Sequence, residues 1–400
     1  MDMKDGKFSL GIIGAGGRGV YFGGKQFTEA GNCYVTCVCD VFQERVDSAI
    51  RELGGNITGY TSVDEFLEHP DLDAVIIATN DMTHAGIAVK VLAKKKHVYL
   101  EKPMAQTIED CDRIVDAWTG DGVFMVGLEL RYCTLMQECK RIVERGDIGR
   151  IIIGTVVDNV SVGGDYYFHG PKRKKSYIKS LVLEKGTHSL DLANWLIDDS
   201  PVKVYASGNL DVFGGDSEDI DCVDCEKADT CPYYRNRTNF IMDYGAKVKE
   251  TKLDKCVYSR ECDTSDNSLL IVDYEKGARL AYMECHFTPE YTREFMFVGD
   301  KGKMTAFYNN EQDFKIMVWK RHEKEPVYYY PPKIVGGGHG GGDEGIIREF
   351  GKRVLEGKPC MIGIKGARDS AAIAIASCES EESGMPVTIP LSRSFEGEQR

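Results

Sequence analysis

The chain has 400 residues, with 63 acidic and 50 basic side chains and a formal net charge of −13. That length exceeds one ordinary domain, so two are expected. The acidic balance, with no basic stripe, argues against nucleic acid as a partner. No apolar run reaches transmembrane length, and Met1-Asp2-Met3-Lys4-Asp5-Gly6-Lys7 lacks a signal-peptide core, which points to the cytoplasm.

Phe8 to Ile13 reads as a buried strand, followed at once by Gly14-Ala15-Gly16-Gly17-Arg18-Gly19 and a helix. This is GxGxxG in its proper setting. Gly14 permits the tight turn, Gly16 lets backbone approach a pyrophosphate, and Gly19 lets helix and strand pack closely. Gly17 and Arg18 lie in the same turn, where a helix N-terminus offers amide hydrogens to phosphates. The next strand, Tyr34 to Cys39, ends in Asp40. A carboxylate there accepts hydrogen bonds from ribose hydroxyls and repels a 2′-phosphate, so NAD is expected rather than NADP. Arg45, the nearest competing cation, is expected to face solvent.

Ala74 to Ala78 is a third buried strand, ending in the polar loop Thr79-Asn80-Asp81-Met82-Thr83-His84. Thr79 and Asn80 are cofactor candidates, and His84 either contacts the cofactor or caps helix 84–96. Val98-Tyr99-Leu100 leads to Glu101-Lys102-Pro103. Proline pushes Lys102 out of helical geometry, at a strand end that faces the ligand crevice of an open α/β sheet. Residues 107–119 read as a helix capped by Thr107, and Val123 to Gly127 closes the sheet. The alternation implies a doubly wound parallel sheet over residues 1–126.

Residues 127–400 read as a second α/β domain. Arg131 and Tyr132 precede a helix to about Gly146, and strands recur at 151–157, 268–274, 278–286, 295–298, 303–307, 314–319 and 327–330. They lack regular intervening helices, so a large, mainly antiparallel open sheet is expected. Lys172-Arg173-Lys174-Lys175 reads as a solvated run. Gly336-Gly337-Gly338-His339-Gly340-Gly341-Gly342-Asp343 reads as a substrate-facing lid, with His339 at the pocket rim and Asp343 capping helix 344–356. Ala367 to Ser383 reads as an amphipathic helix packed on the second domain.

Fourteen cysteines are many for a reducing compartment. A cysteine-rich insertion spans about 215–264. There Cys222, Cys225, Cys231 and Cys256 could close a structural tetrahedral zinc site, since metal is favoured over disulfide in the cytoplasm. The competing reading is a loop of free thiols.

With these residues in hand, the chain resembles the glucose–fructose oxidoreductase / inositol dehydrogenase family (Gfo/Idh/MocA). The resemblance rests on the glycine turn, Asp40, Ala78-Thr79, Lys96 to Pro103, and Glu184-Lys185-Gly186-Thr187-His188-Ser189-Leu190-Asp191. It implies a Rossmann domain followed by an open-sheet α/β domain that often builds a homo-oligomer. It also implies a nicotinamide over which a sugar or cyclitol hydroxyl is placed. Lys102 matches the lysine that contacts substrate and nicotinamide ribose, and His188 matches the general base. Many relatives have aspartate where this chain has Glu184.

The residues support that reading. The spacing of Glu184, His188 and Asp191 puts them on one helix face, where a carboxylate can orient the imidazole. Hydride departure from an alcohol carbon needs the hydroxyl proton removed, which suits histidine. Lys102 can stabilise the developing alkoxide. The expected catalytic set is Lys102, His188 and Glu184, with Arg131, Tyr132, Asp191 and His339 on the substrate side and Glu101 beside the cofactor. The expected activity is NAD-dependent oxidation of a secondary hydroxyl, at C3 by best guess, of a sugar, glycoside or cyclitol. The alternatives are an NAD-using glycosidase or lyase acting by transient C3 oxidation, and a non-catalytic NAD-binding regulator.

Overall fold

A computed structural model describes residues 6–235, 254–309, 314–334, 338–392 and 398–399. Gly336, Gly337 and the middle of the cysteine-rich insertion lie outside the described residues.

The first half forms strands β1 (Phe8–Ile13), β2 (Cys33–Cys39), β3 (Thr58–Tyr60), β4 (Ala74–Ile77), β5 (His97–Leu100) and β6 (Val123–Val126). All pair in parallel, and β1, β4 and β6 are short apolar runs buried along their whole length, with the exposed β3 at the edge. The order is β3-β2-β1-β4-β5-β6. The chain therefore reverses its winding between β1 and β4, where ligands bind in such sheets. The turn after β1, the loop after β4 and the end of β5 all open onto that edge.

The second sheet contains β7 (Ile151–Asn159), β8 (Pro201–Asn209), β9 (Asn267–Tyr274), β10 (Arg279–Cys285), β11 (Thr292–Gly299), β12 (Gly302–Asn309), β13 (Lys315–Lys320) and β14 (Val327–Tyr329). Its order is β14-β13-β12-β11-β7-β10-β9-β8. Only β7 and β10 pair in parallel among these neighbours. Burial alternates along β9 and β10, so one face packs on the core and the other is open.

The chain after residue 127 is not confined to this second sheet. A strand β15 (Cys360–Ile362) returns to pair in parallel with β6, and β16 (Val387–Thr388) edges the second sheet beside β8. A short β17 (Glu398–Gln399) adds to β15. Helix Gly338–Glu356 lays Ile346, Ile347 and Phe350 against Phe8, Phe27 and Tyr99 of the first domain.

Helix Ile364–Ser383 differs from its expected amphipathic form. It is buried all round from Gly366 to Ser377, because it lies between helix Ile108–Ala117, helix Thr187–Ile197 and β8. Its alanines allow that close approach. Arg368, almost fully buried within it, donates to Asp112 and to the Pro390 carbonyl. The two sheets thus share one continuous core. Among the described residues, no helix is long and apolar enough to cross a membrane.

Candidate functional site

The glycine turn is dictated by close packing. Gly14 has φ of +99°, and a Cβ there would collide with the Ala78 carbonyl. A Cβ at Gly19 would strike the Gly14 carbonyl. Gly16 differs: nothing lies within 4 Å of the Cβ position, so its constraint is toward something outside the chain. Asp40, at the end of β2, accepts from Ala15 N at 3.0 Å and Phe42 N at 3.1 Å. Arg45 is not turned to solvent as expected; its guanidinium lies 3.9 Å from Asp40 and over the Phe42 ring. The open Gly16, the helix starting at Arg18 and the carboxylate of Asp40 together fit a dinucleotide.

Arg18 and Glu101, both expected at the cofactor, are paired with each other. Arg18 Nε donates to Glu101 at 2.7 Å, and its other arm donates to Glu129. Burial opposes the Arg18 charge, but Glu101 and Glu129 outweigh it and hold the pKa above the ordinary value. His84 neither caps its helix, whose N-cap is Thr83, nor stays free for a ligand. Its Nδ1 donates to the Pro103 carbonyl at 2.8 Å, and Nε2 sits 3.3 Å from the Thr79 carbonyl. Its place is that of a clamp between the β4 loop and the Lys102–Pro103 turn. Thr79 accepts from the Thr83 hydroxyl, and Asn80 accepts from Tyr177 of the second domain at 2.9 Å.

Lys102 reaches across the domain boundary, donating to the Glu184 carbonyl at 2.6 Å, with the Glu184 carboxylate 3.9 Å away. Glu184 also accepts from Lys172. Burial works against the Glu184 charge, but Lys172 and Lys102 outweigh it and keep its pKa below the usual carboxylate value. The basic run 172–175 is thus not simply solvated: Lys172 serves the site, and Arg173 is buried on Asp219 and the Cys256 carbonyl.

The expected shared face of Glu184, His188 and Asp191 does not form a relay. Residues Val182–Gly186 wind with wide π-type turns before helix Thr187–Ile197, which breaks the simple four-residue register. Asp191 turns to Arg131, which donates to it twice, at 2.8 and 2.7 Å. Tyr132 packs against the core beside helix Gly338–Glu356. His188 is buried, and its Nδ1 has no hydrogen-bond partner, so no carboxylate orients it. Burial, together with His339, Lys102, Arg293 and Lys185, pushes its pKa well below the ordinary histidine value. That direction leaves the imidazole neutral at physiological pH.

The glycine-rich segment is ordered over 338–343. His339, at φ of +52°, faces His188 with ring centroids 5.1 Å apart, and its Nδ1 donates to Asp343 at 2.8 Å. Asp343 therefore holds His339 instead of serving only as a cap. A Cβ at Gly342 would collide with the Glu129 carbonyl. These glycines answer to tight packing, and this part of the run forms a fixed wall.

Sequence reasoning missed Glu129, Lys172, Tyr291 and Arg293. Burial, reinforced by Glu101 and only partly offset by Arg18, pushes the Glu129 carboxyl up to about 7. Burial would raise the Tyr291 phenol, but Lys185 and Arg293 outweigh it and bring the pKa down to about 7. Lys185 donates to Tyr291 Oη at 2.8 Å.

Residues 8–128 match the model of an oxidoreductase family with an NAD-binding Rossmann fold, and residues 136–305 match the GFO/IDH/MocA C-terminal domain. The chain belongs to the Gfo/Idh/MocA family. Curated members include the protein YteT of Bacillus subtilis (strain 168), 28% identical over 267 residues, 61% of this chain and 62% of that protein. Inositol 2-dehydrogenase of Salmonella typhimurium is 29% identical over 176 residues, 43% of this chain and 49% of that protein. The chain thus spans 49% to 62% of the length of these relatives. Among solved structures, levoglucosan dehydrogenase in complex with NADH and levoglucosan superposes with a TM-score of 0.72 at 19% identity. That match covers 96% of this chain and all of the other, and it shows a shared fold.

The cysteine-rich insertion of this chain is tied down by backbone β-bridges between Ser217 and Ser259 and between Asp221 and Lys255. Cys222, Cys225, Cys231 and Cys256 line one small enclosed cavity, joined by His169, which sequence reasoning did not include. Among the described residues, however, the one group of three or more metal-type donors within 4.8 Å of one another is Glu129, His188 and His339. The cysteine sulfurs are gathered without being drawn into such a shell.

The two glycines separate packing from ligand contact. Gly16→Ala is expected to leave the thermal midpoint unchanged while weakening NAD binding about tenfold, or about 1.4 kcal/mol. Gly19→Ala is expected to lower both. Calorimetric titration with NAD and a thermal melt of each variant check this.

Proposed function

We propose that this protein is an NAD-dependent oxidoreductase acting on a secondary hydroxyl of a sugar, glycoside or cyclitol, with the 3-hydroxyl of a hexopyranoside as the specific candidate. The observation that carries the reading is Lys102. It ends β5 at the switch-point crevice and is bonded across to the segment that bears His188. Similarity to proteins named inositol 2-dehydrogenase and levoglucosan dehydrogenase supports the substrate class.

Gly14, Gly16, Gly17, Gly19, Asp40, Thr79 and Asn80 would hold NAD, which when bound accepts a hydride from the alcohol carbon. Arg18 and Glu101 support the turn from behind. The chain's own part is the proton and the charge. Neutral His188 takes the hydroxyl proton. The Lys102 ammonium, anchored by Glu184, stabilises negative charge on that oxygen before water can. Glu184 is a positioning residue, since its carboxylate is already engaged by Lys172. His339 and Glu129 flank His188 on the substrate side. Arg131 and Asp191, bonded to each other, brace the helix that carries His188.

Incubation with NAD and a panel of sugars, glycosides and inositols tests the reading. NADH and an oxo-sugar are expected, and Lys102→Ala or His188→Ala should reduce turnover at least about a hundredfold, the scale of a lost acid–base or electrostatic group. Aglycone release with no net NADH would replace net oxidation by transient oxidation and elimination. NAD binding with no turnover on any substrate would favour a regulator. The low pKa of His188 sets the sign of the pH profile. Its neutral form persists below pH 6.5, so the acid limb of kcat/KM is expected below the ordinary histidine value. A limb above 7 would exclude His188 as the base.

The open face of the second sheet supports a homo-oligomer. Leu269 and Ile271 are each 57% exposed, and Tyr205, Ile153, Met296 and Trp319 are exposed on neighbouring strands. Tyr205 and Ile271 are directly opposite each other across β8 and β9. An apolar face of this breadth is expected to be covered by a second copy. Leu269→Lys with Ile271→Lys should shift the chain to monomer in light scattering, with NAD binding retained.

A further inference from the structure

Three donors meet at the wall of the pocket. Glu129, His188 and His339 each offer one ligand atom, and these atoms lie within 4.8 Å of one another. They come from three places far apart in the chain: the turn after β6, helix Thr187–Ile197 and the glycine-rich segment. Two of them are left with buried, unpartnered atoms. Glu129 is 1% exposed, and its Oε2 has no hydrogen-bond partner. His188 is 4% exposed, and the same is true of its Nδ1. A buried polar atom without a partner costs on the order of 1–3 kcal/mol, so two residues of one cluster that each keep such an atom point to a missing ligand.

The surroundings are those of a cation site. His339 Nδ1 is taken by Asp343, which fixes the ring and leaves Nε2 as its donor, the arrangement that orients metal-binding histidines. Glu129 Oε1 is taken by Arg18, with Tyr99 Oη at 3.4 Å, which leaves Oε2. The nearby cations are matched by their own partners. Lys102 is bonded to Glu184, Lys185 to Tyr291, and Arg293 lies 3.5 Å from Asp158. Two imidazoles and one carboxylate suit a borderline divalent ion better than a hard one.

We propose that Glu129, His188 and His339 form a binding site for a divalent transition-metal cation of the zinc type inside the substrate pocket. Its consequence for turnover rests on the reading of His188 as the base. A cation on that imidazole removes the lone pair that would take the hydroxyl proton, so loading the site should block oxidation.

The test titrates the NAD-loaded, full-length protein with Co2+, following the visible absorption of the bound ion, for the wild type and for Glu129→Gln and His339→Asn. Glutamine keeps the contact with Arg18, and asparagine tolerates the positive φ at position 339. A cooperative thermal melt of each variant confirms that it is folded. The expected result is a nitrogen/oxygen-type visible band saturating at one ion per chain, reduced at least tenfold in affinity by either substitution. No such band, or one that both variants retain, overturns the proposal; the latter would place the ion elsewhere, as at the cysteine cluster. Inhibition of the wild type by Zn2+ is read separately. Saturable binding without inhibition would sustain the cation site and remove His188 as the base.

Discussion

The half-buried guanidinium of Arg18 ties the site together. It sits within the glycine motif, at the start of the following helix, and is held between Glu101 and Glu129, over the Phe22 ring at 3.5 Å. A charge in that position is costly unless it is paired and hydrogen-bonded, which Glu101 and Glu129 provide. The pairing therefore couples three segments: the turn after β1, the end of β5 just before Lys102, and the turn after β6. Through the Glu129 backbone, against which Gly342 packs, it also fixes the segment that carries His339.

From that anchor the electrostatics of the pocket follow. Lys102, Lys172, Lys185 and Arg293 crowd the region, yet each has an oxygen partner drawn from Glu184, Tyr291 or Asp158. Burial is the larger influence on His188, and His339, Lys102, Arg293 and Lys185 add to it. His188 is kept neutral by burial and by these neighbours, while His339, five ångströms away, is raised by its bond to Asp343 once the opposing effect of burial is overcome. Two adjacent imidazoles are thereby pushed in opposite directions.

Much of the fold was legible because its signals are local. Strand, glycine turn and Asp40 lie within one βαβ unit, and the lysine before Pro103 ends a strand of plain apolar character. Thr107 is where the N-cap pattern puts it, accepting from Asp110 N at 3.1 Å. The site was legible only where it lay within such units. Glu129 sits in a short turn with no motif, and Tyr291 and Arg293 come from the start of β11, whose relation to His188 exists only after the second sheet forms. Lys172 looked like solvated charge because three basic neighbours mask a side chain that is folded under. Spacing alone overestimated the relay from Glu184 to Asp191, since a widened turn and a competing arginine redirect both carboxylates. The glycine-rich segment was read for mobility, whereas colliding Cβ positions show that close packing also demands glycine.

The central claim is that the glycine turn, Asp40 and Lys102 define one cofactor track ending at His188. A crystal structure of the NAD complex tests this most directly. The account predicts the adenosine ribose on Asp40, the pyrophosphate over Gly16, and the nicotinamide between Lys102 and His188. A nicotinamide directed away from Lys102, or an adenosine ribose without contact to Asp40, would contradict it.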